Sequence, residues 1–265
     1  SVDLLIAVGT SMNEWTSSGW SNSLLNEKLV HIDESAEHLA RSPMARLHVR
    51  GRILTIFDRL LTLRQTSLKA SSTPIPLPNR TLSEIMEAGK FTSDATPIKP
   101  QRLMNELGKR FPVGTRFLAD AGNSVAWATH FLQPADRRRS ERRVTSIRRF
   151  DNGRRNNDGS WLRVTMDFAP MGWAIGGAVG TAAGDPGVPV VCITGDGSLM
   201  MNGQEISVAI AEKLTVIFVI LNDSALGMVK HGQRLAGAEQ IGFELPTTDF
   251  AAMARAMGAD GYTIH

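Results

Sequence analysis

Residues 195–223 read GDGSLMMNGQEISVAIAEKLTVIFVILND, and this stretch decides the fold. A mostly apolar run at 188–194 precedes it, and a second apolar run at 214–221 lies within it. Short apolar runs separated by a helical run are typical of buried strands in a parallel α/β sheet. Asp196 follows the first run and Asn222-Asp223 follows the second. We therefore expect two oxygen-rich loops at the carboxyl edge of one sheet, where ligands bind in such folds.

These two loops suit a divalent cation bound together with a diphosphate. Mg²⁺ prefers oxygen ligands and is usually shared between protein carboxylates and phosphate oxygens. Gly-Asp-Gly alone is weak evidence, because any turn after a strand favours these residues. The second polar loop, on the next strand of the same sheet, favours the cation site over a simple turn.

The same alternation of strands and helices extends over most of the chain. In residues 1–64 we predict strands at 4–8, 29–33 and 47–49, a helical stretch after the first strand, and a helix at 53–63. Residues 65–97 contain SSTPIPLP at 71–78, a proline-rich core that predicts a linker. Beyond it we predict a strand at 116–119 and helices at 100–110, from about 124 to 132, at 172–184 and at 202–212.

Composition indicates a globular chain. Its 265 residues are 42% hydrophobic and 21% charged, which excludes a wholly disordered, collagen-like or coiled-coil chain. No apolar run reaches the roughly 18 residues of a membrane span, and the first residues do not resemble a signal peptide. Cys192 is the only cysteine and lies in an apolar run. We therefore expect a core thiol in a reducing compartment and a cytoplasmic location.

Positive charge is concentrated in one segment. The formal net charge is +3, yet residues 136–158 hold nine arginines and four acidic residues. Few aromatic residues accompany them, so we do not expect a nucleic-acid partner. Mutual repulsion predicts an exposed, mobile insertion over 137–155. A solvated basic loop is the simpler interpretation, and contact with an anionic substrate or a neighbouring subunit is the alternative.

The stretch from Gly195 to Asp223 resembles the thiamine diphosphate-dependent decarboxylase and carboligase family, whose signature is Gly-Asp-Gly followed, one helix and one strand later, by Asn-Asn. QEI at 204–206 with Ala209 is similar to the family's next helix, and LGMV at 226–229 resembles acetolactate synthase large subunits. Asp223 stands where Asn is commoner, so an oxygen ligand is kept and a negative charge is added.

The resemblance implies an α/β fold in which a parallel-sheet thiamin diphosphate-binding domain follows a partial Rossmann-like middle domain. DLLIAVG at 3–9 and HID at 31–33 are similar to the second half of that middle domain. The implied boundaries are 1–64 for the middle domain, 65–97 for the linker and 98–265 for the cofactor-binding domain. Relatives carry one more strand and helix beyond this last segment.

The resemblance also implies the roles of individual residues. Asp196, Asp223 and the backbone carbonyl of Ala225 would bind Mg²⁺. APMG at 169–172 matches the family's Gly-x-Met-Gly, so Met171, with Ala169 beside it, would be the apolar wedge that bends the cofactor; core packing is the alternative for Met171. The implied contacts to the cofactor are Asn123, Ser124, Gly195, Gly197, Ser198, Gly227 and Met228.

The implied reaction is decarboxylation of a 2-oxo acid followed by carboligation to a second acceptor. In this family a glutamate from a separate pyrimidine-binding domain polarises the cofactor, and no segment here resembles that domain. A missing segment or another chain would have to supply it, and a homo-oligomer, dimer or tetramer, is expected. A simple 2-oxo-acid decarboxylase is one alternative. A cofactor-binding subunit without independent activity is the other.

Several other side chains are weaker candidates. Some relatives keep FAD or ADP in the middle domain, so Trp15 and Trp20 are candidate nucleotide contacts, with ordinary packing as the alternative. Glu205 occupies a structural position in its helix, and we do not expect it to replace the missing glutamate. Candidates for substrate contact, with polar surface as the alternative, are His130, His231 and Arg234.

Overall fold

The computed structural model describes residues 2–14, 16–67, 87–134, 160–165 and 168–265. The chain divides into two compact units, Ser1–Arg80 and Thr81–His265. Trp15, the whole proline-rich core 71–78 and the whole arginine segment 137–155 lie outside the described residues. The predictions made for them, and the predicted domain boundaries, stay predictions.

The first unit is built on a parallel sheet. Its strands are β1 (Leu5–Val8), β2 (Leu29–Asp33) and β3 (Leu47–Arg50), in that spatial order. Helix α1 (Ala36–Ala40) follows β2, and helix α2 (Ile53–Ser67) follows β3. The three predicted strands are confirmed to within one residue at each end. The helix predicted at 53–63 is confirmed as α2, which continues to Ser67.

The predicted helical stretch between β1 and β2 is wrong. The described residues there form turns, because Gly9, Ser18, Gly19 and Trp20 all adopt positive φ angles. A right-handed helix cannot contain residues in that conformation. Large apolar side chains of this unit are widely exposed, among them Ile6, Leu54, Phe57, Leu60 and Leu61.

The second unit contains a four-stranded sheet in its described part, and every neighbouring pair is parallel. The spatial order is β5-β4-β6-β7 for strands β4 (Arg116–Ala119), β5 (Trp161–Val164), β6 (Val190–Gly195) and β7 (Val216–Leu221). The helices begin with a 3-10 helix, Ala88–Thr92, and continue as α3 (Pro100–Arg110), α4 (Asn123–Phe131), α5 (Trp173–Gly184), α6 (Asp196–Asn202), α7 (Glu205–Ala211), α8 (Gly227–Leu235) and α9 (Phe250–Ala256).

One predicted helix differs from the structure. The helix predicted at 202–212 is shorter, α7 from Glu205 to Ala211, and a separate helix, α6, precedes it from Asp196 to Asn202. Gly203 and Gln204 separate the two helices. Helix α6 therefore starts directly after β6: Gly195 ends the strand, and Asp196 and Gly197 lie in the first turn of the helix.

Strand β6 explains why the sequence shows a continuous apolar run. Val190 and Cys192 belong to the hydrophobic cluster on one face of the sheet, together with α5. Val191 and Ile193 belong to the cluster on the other face, together with α3 and α4. A strand covered on both sides has no polar face to show. The predicted α/β fold with a parallel sheet is confirmed.

Cys192 lies in this core and is fully buried, as predicted. Burial raises the pKa of its thiol far above the usual value, so it behaves as a small apolar side chain.

Among the described residues, the helices are too short or too polar to cross a membrane.

Candidate functional site

The carboxyl ends of three neighbouring strands meet at one edge of the second sheet. Ala119 pairs with Ile193, and Gly195 pairs with Leu221, so β4, β6 and β7 end side by side. The residues that follow these strands are Asp120, Asp196 and Asn222-Asp223. The predicted gathering of polar loops at this edge is therefore present, and it includes a third carboxylate, Asp120, to which sequence analysis assigned no role.

Asp196 has one carboxylate oxygen without a protein partner. Its Oδ1 accepts a hydrogen bond from the backbone N–H of Gly197 at 2.7 Å. Its Oδ2 is buried and has no hydrogen-bond partner, although the side chain is only 4% exposed. A buried acceptor left unpaired destabilises the folded protein. This oxygen is therefore suited to a bound cation.

Asp223 lies close enough to Asp196 for their charges to interact. The pKa of Asp223 is raised above its usual value, first by partial desolvation and second by the negative charge of Asp196. Hydrogen bonds from backbone N–H groups, including that of Ala225, partly offset this. Two repelling carboxylates are typical of a site that binds a cation.

The loop that follows β7 is held by a second strand-like segment. Leu226 N–H donates to the Phe243 carbonyl at 2.6 Å, and Leu245 N–H donates to the Ser224 carbonyl at 2.9 Å. Ala225 lies in the isolated bridge between these bonds, so its backbone is fixed beside Asp223. The side chain of Asn222 instead anchors the loop to a later segment, because it donates to the Thr248 carbonyl at 3.3 Å.

The donor set fits Mg²⁺ shared with a phosphate. No group of three His, Cys, Asp or Glu side chains that could hold a metal occurs in the part of the chain that the structure describes. Two carboxylates and one carbonyl leave octahedral positions for phosphate oxygens and water, which is the usual arrangement for Mg²⁺.

Two glycines allow the polar loops to approach each other. A Cβ atom on Gly227 would overlap the side-chain amide of Asn123 and would lie 3.4 Å from Oδ2 of Asp223. A Cβ atom on Gly197 would lie 2.6 Å from Cδ2 of Leu226 and 3.1 Å from Cε of Met171. The predicted residues Asn123, Met171 and Asp223 thus all contact the two glycine-containing turns.

The remaining predicted cofactor contacts lie at the starts of helices on this edge. Asn123 and Ser124 open α4, Gly197 and Ser198 lie in the first turn of α6, and Met228 is the second residue of α8. Ser124 and Ser198 are buried, and the Oγ of Ser124 lies 3.7 Å from where Gly195 would carry a Cβ. The free N–H groups at the start of a helix such as α4 favour anions.

Asp120 begins the stretch 120–124 that also holds the predicted contacts Asn123 and Ser124, but sequence analysis gave Asp120 itself no role. Both of its oxygens accept from Gly172 N–H at 3.0 Å, and Thr194 Oγ1 donates to Oδ2 at 2.8 Å. Burial raises its pKa, and these hydrogen bonds with those from Ala121 and Ala174 partly offset the rise. The feature of the sequence that could have indicated a role for Asp120 is its position directly after β4, a strand that is buried along its whole length.

The weaker candidates lie away from these groups or at the surface. His130 is near the far end of α4, packed against Phe131 and about 10 Å along the helix from Asn123. Glu205 opens α7. Trp20 is exposed in the first unit, and His231 and Arg234 are exposed on α8.

Comparison with known proteins agrees with this geometry. Residues 147–265 match the family described as thiamine pyrophosphate enzyme, C-terminal TPP binding domain. A Mycobacterium tuberculosis protein named as an acetolactate synthase large subunit, IlvB2, is 29% identical over 99% of this chain and 43% of its own length. The large subunit of Escherichia coli acetolactate synthase isozyme 3 is 25% identical, and the match also covers 99% of this chain and 43% of the relative's length. That of Haemophilus influenzae is 26% identical, again over 99% and 43%.

The chain therefore spans less than half the length of the relatives it matches. Over that span the similarity includes both units, whereas the family match is confined to the second. Together these findings confirm the predicted resemblance: nearly the whole of this chain is similar to acetolactate synthase large subunits, and residues 147–265 match the C-terminal cofactor-binding domain of thiamine pyrophosphate enzymes.

Proposed function

We propose that the second unit binds thiamine diphosphate through Mg²⁺ and takes part in decarboxylating a 2-oxo acid and ligating the product to a second acceptor. The observation that carries this proposal is the buried, unpaired Oδ2 of Asp196 beside Asp223. The names of the relatives support the carboligase reading over a simple decarboxylase.

The cation would be held by Asp196, Asp223 and the carbonyl of Ala225. The first two supply negative charge, and the third is fixed by the pairing with residues 243–245. The remaining side chains and backbone groups would contact the diphosphate or the ring beside it: Asn123, Ser124, Gly195, Gly197, Ser198, Gly227 and Met228. When bound, thiamine diphosphate supplies the electron sink that accepts the electron pair left behind by carbon dioxide.

Met171 would orient the cofactor rather than react with it. Its methyl group lies against the Gly197 turn, directly over the first turn of α6. An apolar side chain at that place would hold the two rings of the cofactor in one relative orientation. Correct orientation of reacting groups lowers a barrier by several kcal/mol without any further chemistry. Ala169 starts the turn, with a φ of 45°.

A complete active site requires a further group. We propose that the glutamate acting on the pyrimidine ring comes from another domain or chain, within a homo-oligomer in the cytoplasm. FAD in the first unit stays a possibility implied by the resemblance. If no such domain exists in the natural protein, the chain is a cofactor-binding subunit.

Calorimetric titration of this chain with thiamine diphosphate tests the proposal. We expect saturable binding with Mg²⁺ present and loss of binding when a chelator removes it. A parallel assay for carbon dioxide release from pyruvate should be negative for this chain and positive for a longer product that includes a pyrimidine-binding domain. A folded chain that does not bind the cofactor at any Mg²⁺ concentration would contradict the proposal.

A further inference from the structure

The amino-terminal end of helix α5 is capped by Asp120, a residue that is distant in sequence and follows strand β4. Its first residue is Trp173, and the preceding Gly172 has no side chain with which to cap it. Asp120, which follows β4, accepts from the N–H group of Gly172 instead. The first N–H groups of a helix need such acceptors, and a carboxylate is favoured there by the helix dipole.

The same carboxylate fixes the peptide group that follows Met171. The N–H of this group belongs to Gly172 and donates to Asp120. Its carbonyl belongs to Met171 and accepts from Nδ2 of Asn202 at 3.0 Å. Both polar atoms of one peptide plane are thus held by side chains, one from β4 and one from the end of α6.

We propose that Asp120 is a positioning residue for Met171: by holding the Met171–Gly172 peptide it sets where the Met171 side chain lies against the bound thiamine diphosphate. This inference rests on the proposed function. Thr194 contributes to this positioning, because its hydroxyl donates to Oδ2 of Asp120 and so orients the carboxylate.

The geometry gives the peptide little freedom. Gly172 has a φ of 90°, and a Cβ there would overlap the Asn202 side chain, so the turn has no room to shift toward α6. Asp120 is fully buried, so water cannot replace it as the acceptor. Loss of the carboxylate therefore lets the peptide rotate, and the Met171 side chain moves with it.

Two probes separate positioning from simple helix capping. Inorganic diphosphate with Mg²⁺ reports the anion and cation contacts alone, whereas thiamine diphosphate with Mg²⁺ also reports contacts to the rings. We expect Asp120→Asn to weaken thiamine diphosphate binding about tenfold and diphosphate binding less than about twofold, both measured by calorimetry. Asn keeps the size of Asp120 but replaces one of the two oxygens that accept from Gly172 N–H with an N–H₂ donor, which weakens the hold on this peptide.

Asp249→Ala is the matched control. Asp249 caps α9 by accepting from Ala252 N–H at 2.9 Å, and it lies outside the proposed cofactor contacts. We expect this variant to lower the melting temperature as a lost cap does, while the affinities for both probes stay within about twofold of the wild type. Equal losses for both probes in Asp120→Asn would overturn the positioning role.

A double-mutant cycle tests whether Asp120 acts through Met171. In a Met171→Ala background, we expect Asp120→Asn to change thiamine diphosphate affinity by less than about twofold, because the side chain to be positioned is gone. A full, additive tenfold loss in that background would overturn the inference. Should Asp120→Asn fail to fold, Thr194→Val and Asn202→Ala enter the same cycle with the same expectations.

Failure of the inference is distinguishable from failure of the proposed function. If the wild-type chain binds neither probe, the proposed function is wrong and the inference falls with it. If the wild type binds both probes and the Asp120 variant keeps the same ratio of affinities, only the positioning role is wrong.

Discussion

Two buried aspartates at neighbouring strand ends differ in how their oxygens are used. Both oxygens of Asp120 accept hydrogen bonds, from Gly172, Ala121 and Thr194. Asp196 has one oxygen bonded to its own turn and the other unpaired. A saturated carboxylate stabilises the fold, whereas an unsaturated one is available to a ligand. This difference agrees with the positioning role proposed for Asp120 and with the cation-binding role proposed for Asp196.

We predict that cofactor binding depends on Asp196 before Asp223. Asp196→Ala removes a carboxylate from the cation, so affinity for Mg²⁺–thiamine diphosphate should fall at least about tenfold, or about 1.4 kcal/mol. Asp223→Asn keeps an oxygen ligand and should be nearly neutral. Calorimetric titration of both variants checks this, and unchanged affinity in Asp196→Ala would show that the motif has been misassigned.

Metal-free stability should depend on pH through Asp223. Its pKa is raised in the folded chain, so the folded state holds the proton more tightly than the unfolded state does. The stability from this group is therefore present at low pH and is lost as the pH rises through the raised pKa. Added Mg²⁺ should raise the melting temperature more at about pH 7 than at about pH 4.5, because it binds the ionised pair.

Thermal unfolding over this pH range, with and without Mg²⁺, measures the effect. Asp223→Asn supplies the comparison, because it removes the titrating group and keeps a ligand oxygen. We expect its metal-free stability to vary less with pH. A variant with the same profile as the wild type would assign the pH dependence to other groups.

At the scale of single elements, α5 shows that a glycine before a helix and a glycine within it can have opposite effects on stability. Gly172 precedes the helix in a left-handed conformation, packed against Asn202. Gly176 lies within the helix, exposed to solvent, with nothing near the place of a Cβ. The first position requires glycine, whereas the second only tolerates it.

We predict that alanine at these two positions changes stability in opposite directions. Gly172→Ala should lower the free energy of unfolding by about 1–3 kcal/mol, through backbone strain and overlap with Asn202. Gly176→Ala should raise it by about 0.5–1 kcal/mol, because alanine is the better helix former. Denaturant unfolding measures both changes, and a Gly172→Ala variant as stable as the wild type would contradict the tight turn.

At the scale of the whole molecule, the proposed contacts to thiamine diphosphate and Mg²⁺ belong to one unit. From Asn123 to Met228 they all lie within Thr81–His265. The first unit carries none of them and exposes many aliphatic side chains, a surface of the kind that is usually covered in an assembled protein.

We therefore predict that residues 81–265 bind the cofactor without the first unit. Their affinity for Mg²⁺–thiamine diphosphate should be within about threefold of that of the full chain, or about 0.7 kcal/mol. The ligand should also raise the melting temperature of both forms, since it binds only the folded state. A folded fragment with much weaker binding would show that the first unit contributes to the site.

Apolar runs and turn residues were enough to predict most of the second sheet. Strands β6 and β7 appear as uninterrupted apolar runs because the sheet is covered, and the acids after them follow from the parallel arrangement. The turns between β1 and β2 were mistaken for a helix, because left-handed residues such as Ser18 and Trp20 leave no clear signal in sequence. Strand β5 was not predicted.

The sequence by itself determined the α/β class and the two oxygen-rich loops, because both depend on local patterns of apolar and polar residues. Only the tertiary structure decided that one oxygen of Asp196 is left unpaired. It also decided that Asp120 holds the Met171 turn, across a separation of 52 residues. Hydrogen bonds between distant segments depend on how strands and helices pack, and no local pattern of residues encodes them.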